Sequence, residues 1–523
     1  MHSLYSSYTA RLKSALQTWL YVTFRDAFVF YLNPREEFIM QDPILFWNNV
    51  ALEANRLDHT GAMEAEHQRG PTLSSRALAI IHLAMHDAFF GVAGVAAIPN
   101  LPPGPKNLYL LAPINPPLPP PNSLITRSAA VSGAASTALC TLYSGMRAMI
   151  EEKLAEISGE NDTDDAAFSF GRRVAFAVLA TRANDEKVLP KDLDHVSSPG
   201  HCRHRVDPYN PTQGYLGVGY GNTSGFAVTT WQTLDSPPLK SDARYTDDFK
   251  EVYERGGAQD LNTTKRTPEQ TAIGLYWAYD GVNKIGTPPR LYNQIVRKIA
   301  ETQGNTEADN ARLFALINCA MGDSGINAWH WKYCFDLWRP IVGIREDDKS
   351  TGPATIADKK ITPPCDPFWK PLGAPRSNEP KPSFTPPFPA YPSGHATFGA
   401  ATFEMVRLFY GHTNTQTEDT IEFTLVSDEL NGRTTDEEGS VRTRHARHYD
   451  SMAEAMYDNS VSRIYLGVHW RFDGTSGKNM NKMLQAADNI GGVPLGRAIA
   501  TDIFNGGMKQ QATPPTPPTG TCI

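Results

Sequence analysis

Apolar positions recur along the chain at three- and four-residue intervals, and no long alternating pattern competes with them. In Ser74 to Phe90, residues Leu78, Ile81, Met85 and Phe89 fall on one helical face, and in Thr137 to Leu154 so do Leu139, Leu142, Met146 and Met149. Each stripe needs an apolar partner face. Thr267-Pro268-Glu269-Gln270 reads as a helix start, because Thr267 can cap, proline suits the first helical position and Gln270 can close a capping box. That helix is expected to run through Leu275 and Trp277 towards Asp280-Gly281. A longer one is predicted over about Asp309 to Trp338, with Leu313, Leu316, Ile317, Ala320 and Met321 as its buried stripe, stopping before Pro340. The predicted fold class is all-α: two helical bundles packed together, with long proline-rich loops and little strand.

Two proline-rich stretches interrupt the helices, Pro99 to Pro121 and Pro363 to Pro392, and the second delivers the chain to Ser393-Gly394-His395, where it can shape a pocket wall. At 523 residues, 41% of them hydrophobic, the chain exceeds the size at which a single core keeps growing. The expected division is an amino-terminal extension over 1–42, a first helical bundle over 43–265, a second over 266–505, and a disordered tail over 506–523, whose Thr-Pro-Pro repeats follow Gln511. Near the amino terminus the apolar stretch Ala15 to Phe24 is stopped by Arg25 and Asp26 with no clear small-x-small cleavage site, so a signal peptide is weakly supported. No apolar run is expected to span a bilayer.

A net charge of -7 gives no global attraction to nucleic acid or anionic membranes, so any anion site must be built locally. The six cysteines, Cys140, Cys202, Cys319, Cys334, Cys365 and Cys522, lack metal-site or dense disulfide spacing, and most read as buried thiols or strays. His201-Cys202-Arg203-His204 reads as a surface loop rather than a metal site.

Three segments of the carboxy-terminal half carry candidate chemistry. In the first, Lys332 and Arg339 are seven apart among Trp329, Trp331, Phe335 and Trp338. On one continuous helix they would share a face, ~10 Å apart along the axis, a spacing that can grip one small oxyanion; alone, such a pair is an ordinary basic edge. In the second, Tyr391-Pro392-Ser393-Gly394-His395 opens a helix whose free amides, macrodipole and Ser393 hydroxyl favour an anion, and Gly394 allows close backbone approach. Ser393 alone would be a plain helix cap; His395 adds a group that exchanges protons near neutral pH. In the third, Arg463 and His469 can reach one site only if the chain turns between them, as Gly467 permits, and Asp473 can fix the imidazole tautomer. Otherwise His469 is a packed histidine beside Trp470. Together these residues offer three cations, neutral donors and two histidines, a set that a multiply charged tetrahedral oxyanion would satisfy.

The ordered set Lys-x6-Arg-Pro, Pro-Ser-Gly-His and Ser-Arg-x5-His-x3-Asp resembles the signature shared by vanadium haloperoxidases and the related acid and lipid phosphatases. Within that group the chain looks most like the fungal vanadium chloroperoxidases, also through Ile44 to Asn48, Leu275 to Gly281, Gly286 to Arg290 and Gly492 to Gly496, a likeness covering about Pro43 to Asn505. The resemblance implies a vanadate cofactor with His469 as its axial protein ligand, its oxygens held by Lys332, Arg339, Ser393, Gly394 and Arg463. It implies His395 as the acid-base group, Lys332 as the residue that polarises peroxide, and Asp280 as the carboxylate paired with Arg463. Trp329 and Phe388 would line the halide side, where bromoperoxidase-type relatives place a histidine at the position of Phe388. The implied activity is oxidation of chloride or bromide by hydrogen peroxide to hypohalous acid, with or without an organic acceptor, and a secreted location is favoured. The alternative on the same residues is phosphoryl transfer, with His469 as nucleophile and His395 as acid.

Overall fold

The computed structural model describes residues 41–60, 67–99, 106–115, 123–158, 165–185, 202–238, 242–261, 264–346, 365–412 and 419–518. The signal-peptide reading, most of the extension 1–42, and His201 and Cys522 lie outside them. Among the described residues there are fifteen α-helices and a single antiparallel pair of strands, β1 (Phe423–Val426) and β2 (Ala446–Tyr449). The first half contributes α1 (Pro43–Asp58), α2 (Gly70–Ala93), α3 (Leu124–Leu142), α4 (Arg147–Ser158), α5 (Asp165–Thr181) and α6 (Ala243–Arg255). The second contributes α7 (Pro268–Tyr276), α8 (Pro288–Gln303), α9 (Glu307–Phe335), α10 (Pro340–Glu346), α11 (Gly394–Phe409), α12 (Met452–Tyr465), α13 (Arg471–Gly474), α14 (Met480–Leu484) and α15 (Gly492–Gly506).

Residues 43–523 pack as one compact unit. Its axis is α9, buried along nearly its whole length: Leu313, Phe314, Leu316, Ile317 and Met321 pack in the core, and polar residues such as Asn318, Asp323 and Lys332 are buried with them. It packs against both α2 and α11, and α11 packs in turn on α15 and α12. The α11–α15 approach rests on small residues: a Cβ on Gly496 would sit 2.3 Å from the Thr397 carbonyl oxygen. The Thr267 capping box forms as expected from sequence.

Several expectations are corrected. The helix predicted over Thr137 to Leu154 is broken: α3 ends at Leu142, Tyr143 leaves helical geometry to bury its ring, and a short 3-10 turn at Ser144–Met146 leads into α4. The long helix predicted to Trp338 stops at Phe335, because Asp336 takes a left-handed conformation at φ 49° and caps it. Cys202–His204 pairs with the segment after α9, through the Arg203–Leu337 bridge, and His204 is buried rather than part of a surface loop. Cys140, Cys202, Cys319 and Cys365 are free thiols as expected, whereas Cys334 is disulfide-bonded. One helix, α2, is long and apolar enough to cross a membrane, and most of it is buried in this fold. The residues after α15 do not trail away: Met508 is fully buried, and the Gln510 N–H donates to the Tyr109 carbonyl.

Candidate functional site

Breaks between helices at Asp336, Ser393 and Gly467 bring the candidate residues together. Lys332 sits in the last turn of α9, but Arg339 lies beyond the helix. The left-handed Asp336 therefore replaces the shared helical face that the seven-residue spacing suggested. Lys332 is fully buried; its Nζ donates to the Pro389 and Ala390 carbonyls at 2.8 and 3.1 Å, leaving one ammonium hydrogen for another partner. Arg339 is held by donation from Nε to the Phe388 carbonyl (2.9 Å) and from Nη1 to that of Val468 (2.8 Å). The proline-rich segment before α11 thus positions both cations by its carbonyls.

Ser393 caps α11, and its backbone N–H donates to the Asp473 carbonyl at 2.7 Å, which ties the second segment to the third. Gly394 follows with its face against Trp329, where a Cβ would lie 3.2 Å from the indole. His395, the second residue of α11, places Nε2 2.6 Å from the Ala278 carbonyl. A carbonyl can only accept, so Nε2 carries the proton and Nδ1 holds the lone pair in the neutral ring. Asn459 donates to the His395 carbonyl at 2.8 Å and holds the backbone behind it.

The predicted turn between Arg463 and His469 is present. α12 ends at Tyr465, Gly467 takes φ 71°, and a Cβ there would collide with the Gly256 carbonyl oxygen at 2.2 Å. His469 Nδ1 lies 2.8 Å from Asp473 Oδ2, which also accepts from the Trp470 N–H. His469 Nε2 lies 2.8 Å from Arg339 Nη1. Guanidinium can only donate, so Nε2 is the lone pair and Nδ1 the protonated nitrogen. Asp280 forms a bidentate pair with Arg463 at 2.7 and 3.0 Å.

The charges are coupled and buried. Three cations, Lys332, Arg339 and Arg463, face two carboxylates, Asp280 and Asp473, so the cluster is less uncompensated than the cations alone imply. Burial, then Arg339, push the Lys332 ammonium well below its usual range. Burial lowers Arg339 to about 9 and raises Asp473 to about 8. Both histidines are driven well down, first by burial and then by the neighbouring cations, so both are neutral at ordinary pH. With all three cations charged and Asp280 ionised, the cluster carries one positive charge when Asp473 is ionised and two when it is protonated.

Of these groups Asp280, Arg463, His395 and His469 line a cavity of about 520 Å³, together with Gly394, Trp329 and Phe388, while Lys332, Arg339 and Asp473 are not part of its lining. Trp329 and Phe388 contact each other with ring centroids 4.9 Å apart, and Lys332 Nζ lies 5.0 Å from the Phe388 centroid. The predicted residues therefore converge. What sequence reasoning missed is the set of backbone carbonyls at Ala278, Phe388, Pro389, Ala390 and Val468, which no residue type announces.

Comparison with known proteins agrees. Residues 33–218 match the family described as the vanadium chloroperoxidase N-terminal domain, and residues 312–501 match its second helical-bundle domain. The vanadium chloroperoxidase of Curvularia inaequalis is 38% identical over 583 aligned positions, covering 91% of this chain and 90% of that protein. The chain belongs to the vanadium chloroperoxidase family. The amino-terminal match begins at residue 33, ahead of the Pro43 at which sequence resemblance was placed. The vanadium chloroperoxidase fold is also seen in a bacterial vanadium-dependent iodoperoxidase, at TM-score 0.59 and 17% identity over 88% of this chain and 95% of that one. A holo-type bacterial vanadium-dependent chloroperoxidase gives 0.56 and 15% over 83% and 93%.

Proposed function

We propose that this chain is a vanadium-dependent haloperoxidase that oxidises chloride or bromide with hydrogen peroxide to hypohalous acid. The observation that carries the reading is a pair of buried guanidinium nitrogens without partners, Arg339 Nη2 and Arg463 Nε, in the same cluster as His469 Nε2, whose lone pair accepts from Arg339 Nη1 in the absence of a ligand. Buried donors are normally satisfied, and two orphans beside a tautomer-fixed imidazole suit an oxyanion that takes hydrogen bonds and one nitrogen ligand. Vanadate fits that donor set. Arg339, Arg463, the third hydrogen of Lys332, the Ser393 hydroxyl and the Gly394 amide would hold its oxygens, and His469 would bind the metal through Nε2.

Bound vanadate supplies a Lewis acid that activates hydrogen peroxide towards halide, so the protein changes no oxidation state. The chain's part is to position and to move protons. Asp473 keeps the His469 lone pair on Nε2, and Asp280 fixes the plane of Arg463. His395, neutral and anchored by Nε2–H on Ala278, presents Nδ1 as the proton acceptor for incoming peroxide. Trp329 and Phe388 withhold water from the halide side, which leaves the cations less screened.

The test is purified protein treated with orthovanadate, then assayed for halogenation with peroxide and each halide and for hydrolysis of p-nitrophenyl phosphate. Vanadate-dependent halogenation is expected; phosphate-ester hydrolysis without halogenation contradicts the reading.

A further inference from the structure

The cavity is larger than the proposed reaction needs. A water molecule occupies about 30 Å³ of liquid, so a volume of about 520 Å³ is several times what a halide and a peroxide fill together. It falls within the size of ordinary small-molecule sites, roughly 300–1,000 Å³. One stretch of its wall is apolar and aromatic, with Phe384, Pro386, Pro387, Phe388 and Phe398 lining it, while polar side chains such as His59, Thr212 and Gln213 line the rest.

Two further cations that the oxyanion site does not use line the cavity, Arg69 and Arg376, and Arg69 already has an interaction of its own. Arg376 lines the same cavity and is half-buried, and its guanidinium stands 4.3 Å from the centroid of Phe384. Among the described residues its guanidinium makes no hydrogen bond or ion pair, although its backbone carbonyl accepts from the Glu379 N–H. The nearby carboxylates are committed elsewhere: Asp280 is paired with Arg463, Asp207 accepts the Thr385 N–H, and Glu437 accepts that of Ser383. The segment carrying it is fixed, because Ala374 and Phe384 exchange backbone hydrogen bonds and Gly373 donates to the Leu466 carbonyl. A guanidinium over a ring, with its fork unfilled and lining a partly aromatic cavity, is a ready partner for a carboxylate.

We propose that this cavity binds an organic acceptor of a stated class, a small aromatic acid bearing a phenol, with its carboxylate on Arg376 and its ring against the aromatic wall. The proposal rests on the haloperoxidase reading and adds a substrate to it. In the step it implies, an electron pair of the phenol ring attacks the halogen of hypohalous acid. The halogen–oxygen bond breaks, the oxygen leaves as hydroxide, and the displaced ring proton joins it as water. The ring carbon is oxidised and the halogen reduced.

The experiment compares 4-hydroxyphenylacetate with its methyl ester, which has the same ring and no charge. Calorimetric titration into the protein should show the acid bound roughly tenfold more tightly than the ester, the scale of one charge-assisted contact. In Arg376→Gln the acid-to-ester ratio should fall to near one, and Arg376→Lys should restore part of it. In halogenation by the vanadate-loaded enzyme, Arg376→Gln should raise KM for the acid, with the acid-to-ester ratio of kcat/KM falling by the same factor. Equal binding of the two probes to the wild type, or an unchanged ratio in Arg376→Gln, overturns the proposal. Preferential binding of the acid without halogenation of either probe contradicts the haloperoxidase reading instead and leaves the carboxylate site supported.

Discussion

Asp280 commits both carboxylate oxygens to Arg463, and that pair decides which guanidinium nitrogen remains for an oxyanion. Removing the carboxylate makes the site more positive yet leaves Arg463 free to rotate. If orientation dominates, Asp280→Ala should weaken orthovanadate binding about 10–100-fold. Calorimetry on the purified variant decides, since tighter binding would show that net charge governs instead. Phe388 bears on the halide. Its ring lies 5.0 Å from Lys332 Nζ and 5.1 Å from the Arg339 guanidinium carbon. A histidine there would bring water and a titrating group beside cations that an apolar wall leaves unscreened. Phe388→His should therefore lower chloride turnover about tenfold more than bromide turnover, a difference worth ~1.4 kcal/mol in barrier. Steady-state halogenation with each halide at pH 4 to 8 measures it, and a wild type inactive on chloride throughout refutes it. At this scale the sequence was legible because the chemistry-bearing side chains are distinctive types in distinctive order. The carbonyls that hold Lys332 and Arg339 were not, since every residue has one.

Two left-handed residues do the work that helical periodicity could not reveal. Asp336 ends α9 and turns Arg339 inward, and Gly467 ends the turn after α12 and turns His469 inward. The second was readable, because glycine between two candidate site residues is a known breaker. The first was not, because aspartate after an apolar run reads as a polar helical position. A methyl at Gly467 would meet the Gly256 backbone and also strain a φ of 71°. Gly467→Ala should cost about 2–3 kcal/mol of stability and should weaken vanadate binding with it, because His469 hangs from that turn. Urea unfolding alongside a vanadate titration checks both; a variant with wild-type values in both would show that the turn is not what positions His469.

Across the molecule, a buried polar seam joins the helices of the first half to those of the second. His82 on α2 meets Asn48 on α1 at 2.9 Å, and Asn48 meets Asn293 on α8, which in turn bonds Asn318 on α9. Burial pushes the His82 imidazole down to about 4. Its folded value lies below the unfolded one near 6.5, so the unfolded chain binds more protons between those limits and stability falls as pH drops from about 6.5 to 4. The buried acids Asp248 and Glu429, each raised to about 7, contribute the opposite slope over much of that range. The difference between wild type and His82→Gln isolates the histidine: the wild type should lose about 1–3 kcal/mol more than the variant on going from pH 6.5 to 4. Denaturant unfolding at each pH shows it, and parallel curves would mean that His82 does not titrate in this way. Such pairings between distant helices cannot be read from periodicity, which gives each helix a buried face but not its neighbour. The central claim, that His469 links the protein to vanadium while His395 only manages protons, is tested most directly by calorimetric titration of orthovanadate into three proteins. The wild type should bind, His395→Ala should bind within about tenfold of it, and His469→Ala should bind about 100-fold more weakly. Equal loss in the two variants, or wild-type affinity in His469→Ala, would contradict the account.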